Sequence, residues 1–377
     1  MRHLSTFVMV LLAALAASAE EIPLKYQGVG ETDLVPIVRT ATSIARTYSS
    51  KPKEVKAVPS GLTRDASFCR IDLGCGDSFI ALLDPARVPG LYVDTNHNND
   101  LSDDARVSGA LAANKEGMIA GLTAAVFGPV ELPLSDAVGG GAAHVFLEVY
   151  TKDYIMVYPA GLVTGEVRLG GRRCKMAIVD ANGNGCYDST FAQDGGSDII
   201  AFDMDSNGRL ENESALGMEI FPLPKIVPLR SGYYALKVKA DGSSCAFEEA
   251  NPPTGSVAVP SEGIIAFLLS DNGPYTVSAA ERACALPAGR YLVAGVDLEL
   301  KQSGNPWTAH ASRGVRGPLT VEIREGETST LDLGPPLAIA TDVQEYSDQI
   351  SIGLVGLVGK GGELYDPAVE MKGVRVP

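Results

Sequence analysis

Apolar residues in this chain gather in short runs separated by Gly, Pro, Asp and Asn. Runs at 79–83 (FIALL), 91–93 (LYV), 145–150 (VFLEVY) and 154–158 (YIMVY) come first. Those at 176–179 (MAIV), 199–202 (IIAF) and 233–238 (YYALKV) repeat the rhythm. Brief runs rich in Val, Ile, Phe and Tyr and bounded by turn residues read as β-strands, because branched and aromatic side chains suit a pleated, half-buried surface. Residues 138–143 (VGGGAA) supply a turn inside this region, and 251–255 (NPPTG) mark a boundary. Beyond it, evenly spaced strands run to residue 340 or so, the spacing of a sandwich.

One stretch departs from this pattern. Between 33 and 48, Ile37, Ala41, Ile44, Ala45 and Tyr48 recur at helical spacing and predict a short helix. Residues 51–60 (KPKEVKAVPS) read as a linker, and 350–357 as a further apolar strand. The expected fold is mainly β, with two or three β-rich modules, a C-terminal antiparallel β-sandwich and little helix. The divisions are an N-terminal segment and linker at 20–60, β-rich modules at 61–160 and 161–250, a sandwich at 254–340, and an extension at 341–377.

The first 19 residues stand apart as a signal peptide. Arg2 and His3 precede an unbroken apolar stretch at 7–17, and Ala17, Ser18 and Ala19 give the small-x-small pattern of a cleavage site. The stretch is shorter than the roughly 20 residues of a spanning helix, and no later segment is long and apolar enough to span. The expectation is an exported protein, periplasmic, cell-surface or extracellular, with no membrane span in the mature chain.

Charge narrows the partners. The chain has 31 basic and 46 acidic side chains, a formal net charge of −15. Removing Arg2 with the leader leaves 30 against 46, or −16. Nucleic acid and anionic membrane need clustered Lys and Arg, so neither is expected as a partner. Cations suit it. Six cysteines (Cys69, Cys75, Cys174, Cys186, Cys245 and Cys284) permit three disulfides in an exported chain, with 15 pairings open. Their spacing matches neither a C-x-x-C redox motif nor a zinc site.

Three segments share one design, in which an apolar run gives way to alternating Asp or Asn. Loop 1 begins at Asp94, with Asn96 and Asn98 at positions three and five, Asn99 at the turn, Asp100 at seven, and Ser102, Asp103 or Asp104 to finish. Loop 2 sets Asp180, Asn182, Asn184 and Asp188 at positions one, three, five and nine, with Cys186 at seven. Loop 3 sets Asp203, Asp205, Asn207 and Glu211 at the same places, with Arg209 at seven. Leu101, Tyr187 and Leu210 fill position eight as apolar anchors. A hard cation such as calcium takes six to eight oxygens at about 2.4 Å. A tightly turning backbone aims side chains one, three and five at a common centre, and position seven offers its carbonyl. The competing reading is a set of hairpin turns, but a bare hairpin needs no acid at positions one and nine.

These loops resemble the calcium loop of the EF-hand and its strand-entered versions in extracellular proteins. The resemblance implies calcium ions bound as fixed structural sites. It fails at position 12, where the EF-hand carries a bidentate Glu and this chain has Ala105, Phe191 and Ser214. Loop 3, with three carboxylates, is expected to bind tightest, and affinities of roughly 10⁻⁴ to 10⁻³ M are expected without the bidentate acid. As a whole the chain is similar to uncharacterised exported bacterial proteins with D-x-N-x-N-G loops, which implies no particular activity.

A second resemblance lies in Leu286, Pro287, Gly289 and Tyr291, followed by 321–333 (VEIREGETSTLDL). This is similar to the closing strands of prealbumin-like, carboxypeptidase-regulatory-type sandwiches and implies an accessory, non-catalytic role. No catalytic constellation competes with these features. His97, His144 and His310 are far apart, with His97 expected to face solvent, and no nucleophile elbow or phosphate loop is present. The sequence therefore points to an exported calcium-stabilised binding or structural protein whose ligand it does not name. The alternative is a secreted carboxylate-dependent hydrolase of polysaccharide or peptide. Sugar binding through stacked aromatics is weakened by a single Trp, Trp307.

Overall fold

The computed structural model describes residues 21–28, 43–48, 50–73, 75–113, 123–138, 140–151, 154–169, 172–192, 196–203, 207–208, 210, 219–229, 232–281, 283–302, 305–346, 349–365, 370–371 and 374–375. The chain is mainly β, built from several antiparallel sheets with little helix. Residues 1–19, expected to be a signal peptide, lie outside the described residues. No helix among them is long and apolar enough to cross a membrane.

The described strands form six sheets around three main cores. Strands Arg46–Tyr48, Ser67–Asp72, Ser78–Asp84, Gly90–Val93 and Val107–Ser108 form one five-stranded sheet. Ser43–Ile44, Tyr154–Pro159, Ala142–Thr151, Thr123–Pro133 and Ala110–Ala113 form another. Burial alternates along Tyr154–Pro159, the period-two signature of a half-buried strand, so Ile155 and Val157 point inward. They join Cys69, Ile71, Phe79, Phe127 and Leu147 in the first core.

The second unit pairs a five-stranded sheet (Ile220–Pro222, Ile199–Phe202, Arg172–Val179, Gly161–Leu169 and Lys25–Gly28) with a four-stranded one (Glu21–Pro23, Ser244–Ala250, Gly232–Val238 and Ile226–Leu229). Met176, Ile178, Phe202, Phe221 and Leu236 fill the space between them. In the third unit, a ten-stranded sheet winds from Gly273–Ser278 to the edge strand Ala338–Tyr346. Strand Thr254–Ala258 of a smaller three-stranded sheet runs parallel to Thr328–Thr330. Tyr291 is fully buried in this core, and its hydroxyl donates to the Pro287 carbonyl at 2.8 Å, which fixes the Pro-Gly turn that launches its strand.

Two expectations are corrected. The described end of the expected helix, residues 43–48, is instead two short strands, Ser43–Ile44 and Arg46–Tyr48, which extend the two sheets of the first sandwich. Ala45, between them, is buried in their shared core, so pairing with two open sheet edges overrides the helical spacing. Residues 51–60 are not a free linker. Val55 is buried with Leu82 and Leu101, and the Lys56 N–H donates to the Asn99 carbonyl at 2.8 Å. No disulfide bond is formed among the described residues, and the structure shows the six cysteines in reduced form.

Candidate metal centre

Each loop joins antiparallel neighbours. Loop 1 leaves Gly90–Val93 and returns in Val107–Ser108, loop 2 connects Arg172–Val179 to Ile199–Phe202, and loop 3 connects that strand to Ile220–Pro222. Strands rather than helices therefore enter all three. The strand ends draw the first acids inward: Asp94, Asp180 and Asp203 are 3%, 7% and 7% exposed. Leu101, Tyr187 and Leu210 at position eight are buried, each in a different apolar cluster.

Loops 1 and 2 repeat one hydrogen-bond scheme. Asp94 accepts from the N–H groups of Asn98 and Asn99, both at 3.0 Å. Asp180 accepts from those of Asn184 at 3.0 Å and Gly185 at 2.7 Å. The Asn96 and Asn182 side-chain oxygens accept from the N–H of Asn98 and Asn184 at 3.0 and 2.9 Å. Those of Asn98 and Asn184 accept from Asp100 and Cys186 at 2.6 and 2.8 Å. Position six holds positive φ in every loop, 63° at Asn99, 82° at Gly185 and 83° at Gly208, which is why Asn or Gly stands there. In loop 3, Asp203 Oδ2 accepts from the Gly208 N–H at 3.0 Å, while its buried Oδ1 has no hydrogen-bond partner among the described residues. Asn207 is exposed, and Asp205, Arg209 and Glu211 lie outside the described residues.

The ends of the loops differ. In loop 1, Asp103 accepts from the Asn98 amide at 2.8 Å. Asp100 accepts from the Ser102 N–H at 2.9 Å, and the Ser102 hydroxyl and N–H together lower its pKa. The Asp104 pKa is raised, first by burial, with Asp94 and Asp103 adding repulsion, and its buried Oδ2 has no partner among the described residues. The Lys56 ammonium donates to the Asn98 carbonyl at 2.8 Å, so a cation already sits against loop 1. His97 is exposed with φ 55°, its ring 4.8 Å from that of Phe79. In loop 2, Asp188 is exposed, and the Asn184 amide donates to Ser189 Oγ at 2.9 Å.

Two acids outside the loop windows were not anticipated. Asp198 is fully buried and braces loop 2 from both ends, accepting from the Ala181 N–H at 3.2 Å and the Ser189 N–H at 2.8 Å. Burial, and then the neighbouring Asp180, pushes its pKa up to about 9. Burial likewise raises Asp180 to about 6, against the lowering effect of its N–H donors. Glu219, also fully buried, acts with Asp203 on the Cys174 thiol, whose pKa burial has already raised to about 11. The one sequence signal for Asp198 is an acid directly before the strand that pairs with the entry strand of loop 2.

Among the described residues no three His, Cys, Asp or Glu side chains form a group able to hold a metal ion. The loops offer carboxylates together with Asn oxygens and backbone carbonyls, a hard-oxygen set that suits calcium rather than zinc. An amide or carboxylate oxygen that accepts one N–H keeps a second lone pair free. A cleft of about 600 Å³ beside Leu292, Arg313 and Val315 is lined by no loop residue. Comparison with protein-family models, curated proteins and solved structures finds no match to this chain.

Proposed function

We propose that the protein is an exported, calcium-stabilised binding or structural module without catalytic activity, in which the loops hold calcium and fix the strands they join. Loop 2 carries the reading. Asp180 and Asp198 are both buried, the Asp180 charge acts on Asp198, and among the described residues no Lys or Arg offsets either. Two desolvated carboxylates are costly unless neutralised, and a divalent cation between them removes that cost. Asp180, Asn182, Asn184, the Cys186 carbonyl and Asp188 are the donors, with Asp198 in place of the missing position-12 acid. Loop 3 would use Asp203, Asp205, Asn207, the Arg209 carbonyl and Glu211, and the partnerless Asp203 Oδ1 fits that role. Loop 1 has Asp94, Asn96, Asn98, the Asp100 carbonyl, Asp103 and Asp104, with Lys56 as a competitor that makes it the weakest site.

Thermal unfolding in excess EGTA, in millimolar calcium and in magnesium tests this. Calcium at 100 times its dissociation constant adds about 2.7 kcal/mol per site, so a calcium-specific rise in Tm is expected, reduced in Asp180→Ala and in Asp203→Ala. No rise, or an equal rise in both variants, ends the reading. The hydrolase alternative has one observation in its favour, because Asp180 and Asp198 are a carboxyl pair whose pKa values burial has set apart. Neither lines a described cleft. Activity on polysaccharide or peptide substrates that Asp198→Asn abolishes, without any calcium effect on Tm, would favour the enzyme.

A further inference from the structure

We propose that Cys75 and Cys186 form a disulfide bond that fastens loop 2 to the edge of the first sandwich. This inference is independent of whether the loops bind calcium.

The two residues come from separate units brought into contact by packing. Cys75 sits on a tight turn between Ser67–Asp72 and Ser78–Asp84, closed by the Leu73 N–H to the Asp77 carbonyl at 2.8 Å and the Gly76 N–H to the Leu73 carbonyl at 3.0 Å. Asp77 Oδ2 pins that turn to the Ser135 N–H at 2.8 Å. Opposite it, Gly185 presses so closely that a Cβ there would stand 3.3 Å from Leu73 Cδ1 and 3.1 Å from Leu134 Cδ2. Cys186, the next residue, is 6% exposed, and its thiol is in hydrogen-bond contact with that of Cys75. Loop 2 fixes its backbone through Asn184, and Tyr187 beside it donates to the Ala240 carbonyl at 2.9 Å.

The other thiols have other company. Cys69 lies within the first core, Cys174 donates to the Asp203 carbonyl at 3.2 Å, Cys245 lies 3.8 Å from Met176 Sδ, and the Cys284 thiol contacts Glu281. Of the pairings the sequence leaves open, the geometry singles out this one.

The oxidant is a disulfide, R–S–S–R, of the glutathione type or on a protein. Cys75, the less buried of the two, enters first: its thiolate attacks one sulfur of the oxidant, the S–S bond breaks, and R–S⁻ leaves. The Cys186 thiolate then attacks the Cys75 sulfur of the mixed disulfide and expels the second R–S⁻. The protein has lost two hydrogens, the oxidant has become two thiols, and the cysteine protons reside on them. The new bond closes a long segment of chain, so it restrains the unfolded state strongly.

The test uses the full mature chain, folded and oxidised with glutathione disulfide, then alkylated in denaturant and cut with trypsin. Trypsin separates Cys75 (residues 71–87) from Cys69, and Cys186 (residues 176–209) from Cys174. The expected result is a chain lighter by two hydrogens, fragments 71–87 and 176–209 joined, and the four remaining cysteines (six less two) alkylated. Tm should rise by several degrees on oxidation in the parent and should not change in Cys75→Ser or Cys186→Ser. Recovery of either fragment in alkylated form, or joined to a different partner, overturns the proposal. The mapping is done on the parent chain, so it decides the matter even if a variant fails to fold.

Discussion

Asp198 occupies a position where water does not reach, and the Asp180 charge nearby opposes its ionisation. With a pKa raised to about 9, it keeps its proton in the folded, calcium-free chain where an unfolded Asp, near 3.9, has lost it. The folded state then binds more protons than the unfolded one, and stability falls as pH rises between those two values. The ceiling is about 1.4 kcal/mol per pH unit for one such group. In EGTA the parent should therefore lose more Tm between pH 5 and pH 8 than Asp198→Asn, which has no proton to give up. Calcium displaces that proton, so its effect on Tm should be larger at pH 8 than at pH 5. Identical pH slopes for parent and variant would show that Asp198 is not the buried acid described. The same residue marks a limit of sequence reading. Asp94, Asp180 and Asp203 declare themselves by spacing, because a loop's geometry is local. Asp198 and Glu219 reach their loops only through strand pairing, which leaves no periodic trace.

Strands behave in the same way at the next scale. The runs at 79–83, 145–150 and 199–202 were legible because both ingredients of a strand, apolar composition and flanking turn residues, lie in consecutive positions. Residues 51–60 contain Lys, Pro and Glu at linker density, yet Val55 and the backbone of Lys56 and Ala57 dock against loop 1. That docking depends on a partner segment that the linker's own composition does not encode. Val55→Ala removes two buried methyl groups and should cost about 1.5 kcal/mol, read as a lower denaturant midpoint at unchanged m-value. The Lys56→Met change tests a different property of the same segment. Taking the ammonium away from the Asn98 carbonyl should tighten calcium at loop 1, measured by calorimetry in a chain whose other loops carry Asp180→Ala and Asp203→Ala. Weaker or unchanged binding would mean that Lys56 does not compete with the ion.

Across the whole molecule, the second sandwich depends on a segment far from it in sequence. Glu21–Pro23 closes the edge of its four-stranded sheet against Ser244–Ala250, and Lys25–Gly28 closes the edge of its five-stranded sheet against Gly161–Leu169. Leu24, between them, enters the core, where a Cβ at Gly165 would stand 2.7 Å from its Cδ2. Short polar strands such as these have too few alternating positions to announce a face, so the chain order suggests a module beginning near 161 where packing requires residues 21–28 as well. A chain starting at residue 29 should leave both sheets with open edges, which recruit other strands and aggregate. Hydrogen exchange is the informative readout. Protection should fall in Gly161–Leu169 and Ser244–Ala250, while Ala142–Thr151 in the first core and Ile264–Ser270 in the third stay protected. Adding the 20–28 peptide in trans should restore part of the lost protection, because the two edges and the gap for Leu24 would still be there to receive it. Unchanged exchange in the shortened chain would mean that the N-terminal strands ornament a sandwich already complete, whereas loss of protection in all three cores would mean that the units fold as one cooperative body.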